Sequence, residues 1–167
     1  MKILYVGGEA LPYASTGGLG DVLGSLPAAL KAYSPEDDIR LVMPLHGKIT
    51  PAWREKMTKI AEFTVQLAWR CQYCGVWMLE KDGVTVYFID NEYYFNGDTL
   101  YRGGDAEIEQ YAYFSRAILE AIPLLDFKGP GMGIDIFKVV DTGITPQISS
   151  LASSIGGVLE YMVTAQS

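Results

Sequence analysis

Short apolar runs alternate with segments of helical periodicity in the first part of the chain. The runs Lys2–Val6 and Ile39–Met43 are rich in strand-forming residues, and each is followed by glycine or proline, as is typical of buried strands. The segment between them predicts a helix over residues 18–33, with a kink or an early restart at Pro27. The apolar positions of this helix are Leu19, Val22, Leu23, Leu26 and Leu30.

Residues 60 to 90 change to β-branched and aromatic composition. Three strand-like runs, at 63–69, 73–79 and 84–90, follow one another, and Lys81-Asp82-Gly83 separates the last two as a hairpin turn does. This region predicts a β-meander or hairpin insertion, or a sheet edge.

The last third predicts two further helices and one strand. Asp105 stands where an N-cap is expected, before a helix that ends at Pro123. A strand at 134–140 follows, and Thr145-Pro146 then starts a second helix. The apolar face of the first helix is formed by Ile108, Tyr111, Ala112, Ser115, Ile118, Leu119 and Ile122, and that of the second by Ile148, Leu151, Ile155, Leu159 and Met162.

Strands that alternate with helices predict an α/β fold with a three-layer arrangement around a mainly parallel sheet. In such folds, ligands bind at the carboxyl ends of the strands. The chain has 167 residues, a length that fits a single domain over residues 1–167.

Composition narrows the classes of function. Twenty acidic residues against thirteen basic ones give a formal charge of -7, which disfavours nucleic acid as a partner. The first residues are strand-like rather than leader-like, and no uncharged apolar run has membrane-spanning length, so we expect a cytoplasmic protein without membrane contact. Cys71 and Cys74 lie in one strand-like run and point to opposite faces, which argues against a metal or redox pair. We expect no metal site and no cofactor.

The segment ASTGGLGDV, residues 14–22, contains the candidate chemistry. Gly17, Gly18 and Gly20 follow the first strand and begin the first helix, where unpaired N–H groups and the helix dipole favour an anion. Neither the Walker spacing nor G-x-G-x-x-G is present, and glycine at a helix start is common for steric reasons. Residues alone therefore leave two interpretations open, a phosphate cradle and a tight turn.

Asp90 and Glu92 offer a possible acid/base pair after a strand, but carboxylates that flank a turn are more often solvated. Eleven tyrosines suggest either a sugar-stacking surface or, more simply, packing residues. His46, the single histidine, is predicted to be a surface loop residue rather than a catalyst.

Several ordered motifs resemble the start of the bacterial glycogen synthases and plant starch synthases. They are MKILYVGGEALPYASTGGLGDVLGSLPAAL, DIRLVMPLHGKI, VYFIDNEYYF, LYRGGDAE and YAYFSRAILEAIPLLDFK. The resemblance covers about residues 1–128 and leaves 129–167 as a divergent strand-helix tail.

The resemblance implies one half of a GT-B fold, in which two Rossmann-like halves face each other across a cleft. The family transfers glucose from ADP-glucose to an α-1,4-glucan, and the first half mostly holds the glucan acceptor. Implied partners are an α-glucan, ADP-glucose and a separate nucleotide-binding half. The residues that the resemblance assigns to the donor/acceptor cleft are Glu9, Ser15, Thr16, Gly17, Gly18, Asp21 and Tyr101.

Two departures from the family pattern bear on activity. Ser15 replaces the lysine of the family's K-T-G-G-L motif, so a charge that would pair with phosphate is missing. The segment after Lys128 also lacks the family's sugar-contacting histidine, and no catalytic residue can be assigned. Three hypotheses follow: an acceptor half that is inactive as an isolated chain, a non-catalytic α-glucan-binding or regulatory module, and a truncated inactive product.

Overall fold

A computed structural model describes residues 1–125 and two strands nearer the carboxyl terminus, at 136–140 and 158–162. The strands are β1 Lys2–Val6, β2 Asp38–Pro44, β3 Thr58–Leu67, β4 Arg70–Lys81, β5 Val84–Asp90, β6 Ile136–Val140 and β7 Val158–Met162. The α-helices are α1 Gly18–Tyr33, α2 Pro51–Arg54, α3 Glu92–Phe95 and α4 Gly104–Ala121.

The strands of this described part form one mainly parallel sheet in the order β3-β4-β5-β2-β1-β6-β7. Every neighbouring pair from β5 to β7 is parallel, whereas β3 and β4 form an antiparallel meander that leads into β5. Asp82 and Gly83, with φ angles of 54° and 77°, connect the paired ends of β4 and β5. The predicted α/β fold, hairpin insertion and turn are confirmed.

Side chains of β1 alternate between two cores, one on each face of the sheet. Ile3 and Tyr5 pack in the cluster that contains Leu23 of α1. Leu4 and Val6 pack in the cluster that contains residues of α4. The sheet is therefore covered on both faces, which is the predicted three-layer arrangement. None of the helices in the described ranges is long and apolar enough to cross a membrane.

Helix α1 continues through Pro27, so of the two outcomes predicted there the early restart does not occur, because one missing hydrogen bond is tolerated where the proline is buried. Two details of the prediction for the next long helix were wrong. Helix α4 begins at Gly104, and Asp105 lies in its first turn rather than at the N-cap. Gly103, with φ of 78°, leads the chain into α4 in a conformation that only glycine adopts readily. Ile108, predicted on the buried face, is 70% exposed.

The tail departs from its prediction. Leu159 and Met162 belong to strand β7 and not to a helix, because residues 158–162 pair in parallel register with β6 and satisfy their backbone groups in the sheet. The rest of that predicted helix lies outside the described residues. The predicted strand at 134–140 is observed from Ile136 onwards.

Candidate functional site

The loop between β1 and α1 lies at the carboxyl edge of the sheet and is held by backbone hydrogen bonds. The Gly7 N–H donates to the Val42 carbonyl at 3.2 Å, which fixes the start of the loop on the neighbouring strand. Further along, Ala10 and Ala14 form an isolated bridge, and the Leu11 N–H donates to the Gly20 carbonyl at 3.0 Å. The loop is therefore folded back against the first turn of α1.

The buried side chain of Glu9 stabilises this loop. Its side chain is 3% exposed, and its Oε2 accepts hydrogen bonds from the Thr16 backbone N–H and, at 2.9 Å, from the Thr16 hydroxyl. A buried carboxylate needs such donors. Glu9 thus sets the position of Thr16, the last residue before the glycine pair.

The glycines in the first two turns of α1 and just before it, Gly17, Gly18, Gly20 and Gly24, are of two kinds. A Cβ on Gly20 would lie 2.0 Å from the Ser15 Oγ, and a Cβ on Gly24 would lie 2.5 Å from the Leu11 carbonyl oxygen, whereas Gly17 and Gly18 have nothing within 4 Å. The latter two are exposed. Close packing thus requires glycine at two helix positions, and the space above the other two is open.

We call Thr16, Gly17 and Gly18 the helix mouth. All three are exposed, and no side chain caps the first turn of α1. The unpaired N–H groups of that turn and the helix dipole favour negatively polarised ligand atoms. Asp21 is exposed in the same turn, which adds an acceptor for ligand hydroxyls. Ser15 is half-buried, and its hydroxyl donates to the Gly17 carbonyl at 3.1 Å.

Tyr101 lies against the start of the same loop. A Cβ on Gly8 would lie 2.9 Å from the Tyr101 hydroxyl oxygen and 3.0 Å from that of Tyr111, so the two rings approach the backbone where it leaves β1. They stack with centroids 5.4 Å apart, and the Tyr111 hydroxyl donates to the Leu100 carbonyl. Burial raises the pKa of Tyr111 well above its usual range, which keeps it a neutral donor.

His46 is not a surface residue, and that prediction was wrong. The side chain is 1% exposed, and its Nε2 donates to the Gly8 carbonyl at 2.6 Å. Burial lowers the pKa of His46 to about 4, so the ring is neutral at pH 7. The loop after β2 folds inward because Arg54 donates to the carbonyls of His46 and Ile49, both at 2.9 Å. The apolar neighbours Leu45 and Ile49 were the sequence signal for this burial.

A concavity lies further along the same edge. It has a volume of about 260 Å³ and is lined by Leu45, Arg54, Met57, Trp77, Asp90, Glu92 and Asn96. We call it the edge cavity. Asp90 and Glu92, the two carboxylates singled out from the sequence, both lie on its wall. The Trp77 indole N–H donates to Asp90 Oδ2 at 3.3 Å.

Comparison with known proteins assigns the family. Residues 2–146 match the family described as the starch synthase catalytic domain. The chain belongs to that family. The match to the family continues past residue 128, where the motif resemblance was expected to end.

Curated relatives of this family are glycogen synthases. The protein from Anoxybacillus flavithermus is 48% identical over 128 residues, which are 77% of this chain and 26% of that protein. The protein from Caldicellulosiruptor bescii is 45% identical over 148 residues, 87% of this chain and 29% of that protein. The chain thus spans about a quarter of the length of these relatives and corresponds to their N-terminal part.

A solved structure supports the fold. The catalytic domain of starch synthase IV from Arabidopsis thaliana, bound to ADP and acarbose, matches with a TM-score of 0.77 and 20% identity over 96% of this chain and 33% of that chain. The expected half of a GT-B fold is confirmed.

Proposed function

We propose that this chain forms the acceptor-side half of a glucosyltransferase that moves glucose from ADP-glucose to an α-1,4-glucan in the cytoplasm. The open helix mouth carries the proposal, because bare backbone above Gly17 and Gly18 leaves room for a ligand at the carboxyl edge of the sheet. Family membership supports the reaction class. The ADP and acarbose bound to starch synthase IV support a nucleotide and a glucan-like sugar as ligands.

Each residue of the proposed site has a distinct task. The N–H groups of Gly17 and Gly18 donate to ligand oxygens, whereas that of Thr16 is bonded to Glu9, and the exposed Asp21 carboxylate accepts from sugar hydroxyls. Glu9 holds Thr16 and so the start of the mouth. Tyr101 lies beside Gly8, where the loop leaves β1.

Ser15 weakens the donor side of this site. Its hydroxyl already donates to the Gly17 carbonyl, and a neutral hydroxyl binds phosphate about half as strongly as a charged donor does. Transfer also needs donor and acceptor held together between two walls. We therefore propose that these 167 residues transfer no glucose unless a nucleotide-binding half is supplied.

A second candidate, a non-catalytic α-glucan-binding module, is favoured by the same residue. With Ser15 in place of lysine the mouth keeps its neutral and acceptor groups, which suit a polyol better than a diphosphate. Such a module binds the glucan and transfers no glucose to it.

Glucosyl transfer from labelled ADP-glucose to glycogen tests the two candidates. We expect no transfer by the chain alone, and transfer when it is mixed with the remaining part of the A. flavithermus glycogen synthase. Ser15→Lys should raise the rate of the mixture and leave the isolated chain inactive. Retention on glycogen without transfer in any mixture would favour the binding module, and neither retention nor transfer would contradict both.

A further inference from the structure

Strand β3 forms one end of the sheet. In the part of the chain that the structure describes, β4 is the only strand that pairs with it, so the backbone N–H and C=O groups on its outer side face no partner strand. With ten residues, β3 is longer than a typical strand of about five or six residues. A long strand edge of this kind is a template for pairing with another strand.

A β-bulge interrupts β3 near its start. The register with β4 shifts between Lys59 and Ala61, and Lys59 forms an exposed ion pair with Glu62. Bulges and charged side chains on an edge strand hinder pairing with a further strand. From Ala61 to Leu67 the register is regular, and Glu62 is the only charged residue in this segment. We call residues 61–67 the open edge.

The open edge has an apolar face and a polar face. On the apolar face Val65 is buried, whereas three neighbours pack on the core cluster that contains residues of α4 and are only half-buried: Ala61, Phe63 and Leu67. The opposite face is exposed and consists of Glu62, Thr64 and Gln66. A further strand beside β3 would remove more of the apolar row from water, which is favourable.

Two exposed apolar residues lie at the two ends of this strand. Ile60, at the bulge, is 38% exposed, and Trp69, in the turn between β3 and β4, is 85% exposed. In an antiparallel pair of two β3 strands, the start of one strand lies beside the end of the other. A second copy of this chain therefore brings Ile60 of each copy towards Trp69 of the other, at both ends of the interface.

Charge is compatible with this pairing. When Thr64 lies opposite Thr64 of the second copy, Glu62 lies opposite Gln66 and Phe63 opposite Val65, so no like charges face each other. The formal charge of -7 on each copy still produces repulsion at long range. We therefore expect a weak dimer, which salt strengthens because it screens that repulsion.

We propose that the open edge is a dimerisation surface, at which two copies of this chain pair their β3 strands antiparallel about Thr64 and join their sheets into one. The helix mouth stays free, because β4, β5 and β2 lie between β3 and β1. The pairing needs no ligand and no glucosyl transfer, so it stands or fails independently of the proposed function.

Sedimentation equilibrium of the purified chain, measured over a series of chain concentrations, tests the dimer. We expect a reversible equilibrium between monomer and dimer, with a larger dimer fraction at higher salt. A chain that stays monomeric up to about 1 mM would overturn the proposal. Dissociation of the dimer as salt rises would contradict it too, because an interface held by opposite charges would then be present.

Two variants with the same change of charge test the register. Thr64→Lys places two ammonium groups opposite each other and should weaken the dimer about threefold, whereas Gln66→Lys places each ammonium group opposite Glu62 of the second copy and should strengthen it about threefold. Both positions are exposed, so both variants should stay folded. Equal effects of the two variants would overturn pairing about Thr64.

The exposed aromatic residues provide a second matched pair. Trp69→Ala should weaken the dimer about tenfold, because buried tryptophans contribute strongly to interfaces. Tyr33, the last residue of α1, is 86% exposed and lies outside the open edge, so Tyr33→Ala should leave the dimer unchanged. Equal dimerisation of the Trp69→Ala variant and the unmodified chain, or a weaker dimer in Tyr33→Ala, would contradict the assigned surface.

Discussion

The two helices that cover the sheet are attached to it in different ways. Helix α4 is packed through large side chains and has eight buried residues: Gln110, Tyr111, Tyr113, Phe114, Ser115, Ala117, Ile118 and Ala121. Helix α1 buries only Gly20, Leu23 and Pro27. Its contacts with the preceding loop depend on glycines, since a Cβ at Gly20 or Gly24 would clash.

The polar groups of the two helices also differ: those of α4 are hydrogen-bonded inside the domain, and those at the start of α1 are not capped by a side chain. On the α4 face, Gln110 donates to the carbonyls of Tyr94 and Leu100, and the Tyr113 hydroxyl donates to the Tyr73 carbonyl. On the α1 face, the first-turn N–H groups have no side-chain cap. This difference indicates that the α4 face mainly stabilises the domain, whereas the first turn of α1 leaves N–H groups available to a ligand.

Truncation of the α4 face should have the largest effect on stability. Phe114 is fully buried, so Phe114→Ala should lower the free energy of unfolding by about 3–5 kcal/mol through the lost burial and the cavity left behind. Denaturant titration measures the change. Ile108→Ala, on the same helix but 70% exposed, is the control and should change it by less than about 0.5 kcal/mol. Similar losses in both variants would remove the distinction between the faces.

His46 connects the two sides, since it bonds Gly8 in the mouth loop and packs on Phe95 in the α4-face core. Its pKa is about 4 in the folded chain, below the value of about 6.5 in an unfolded chain. The stabilisation from the neutral ring is therefore complete above pH 6.5 and is lost as the pH falls towards 4. Between pH 7 and pH 5 the free energy of unfolding should fall by about 2 kcal/mol.

Measuring the free energy of unfolding at several pH values between pH 7 and pH 5 tests this effect of His46. His46→Gln removes the titrating ring, so its stability should vary much less between pH 7 and pH 5. Because the chain has one histidine, no second imidazole confuses the measurement. An equal slope in both proteins would mean that His46 is accessible in its charged form.

Gly20→Ala should disturb the attachment of α1. The new methyl group would lie 2.0 Å from the Ser15 Oγ and 2.5 Å from its Cβ, and such overpacking costs about 1–3 kcal/mol. This loss exceeds the gain of about 1 kcal/mol in helix propensity. Thermal unfolding should show a net decrease, and the double variant Ser15→Gly with Gly20→Ala should recover part of it. No decrease would show that the loop adjusts freely.

Gly18→Ala should have the smallest effect on stability, and of opposite sign. Its Cβ meets nothing within 4 Å, so the reduced freedom of the unfolded chain should stabilise the domain by about 0.5–1 kcal/mol. Retention on glycogen should nevertheless fall, because the methyl group occupies the open mouth. Higher stability with unchanged retention would place the glucan elsewhere.

Local sequence was sufficient for the elements with strong periodicity. The predicted helix over residues 18–33 is observed as Gly18–Tyr33, and β1 is observed as predicted. The Asp82-Gly83 turn was also recognisable, because its positive φ angles favour these residues. The prediction of a helix at 158–162 failed because pairing with β6, which is distant in sequence, decides that segment.

Only part of the candidate site could be predicted from the sequence. The glycine cluster and Tyr101 were recognised through the family motifs, and the fold brings Tyr101 against Gly8, at the start of the loop that leads to the cluster. Burial of His46 was missed, since it depends on Arg54 and Phe95. The edge cavity was missed as well, because Trp77 and Glu92 meet only when β4, β5 and α3 are assembled.

Periodicity, turn chemistry and motif spacing in the chain determined the α/β class, the first strand and helix, the hairpin and the family. These properties depend on residues that are close in sequence. Tertiary structure alone decided which glycines are packed and which are open, why the single histidine is neutral, and where the edge cavity lies. Such properties depend on contacts between distant segments, and the free energy of a buried group is set by the neighbours that replace water around it.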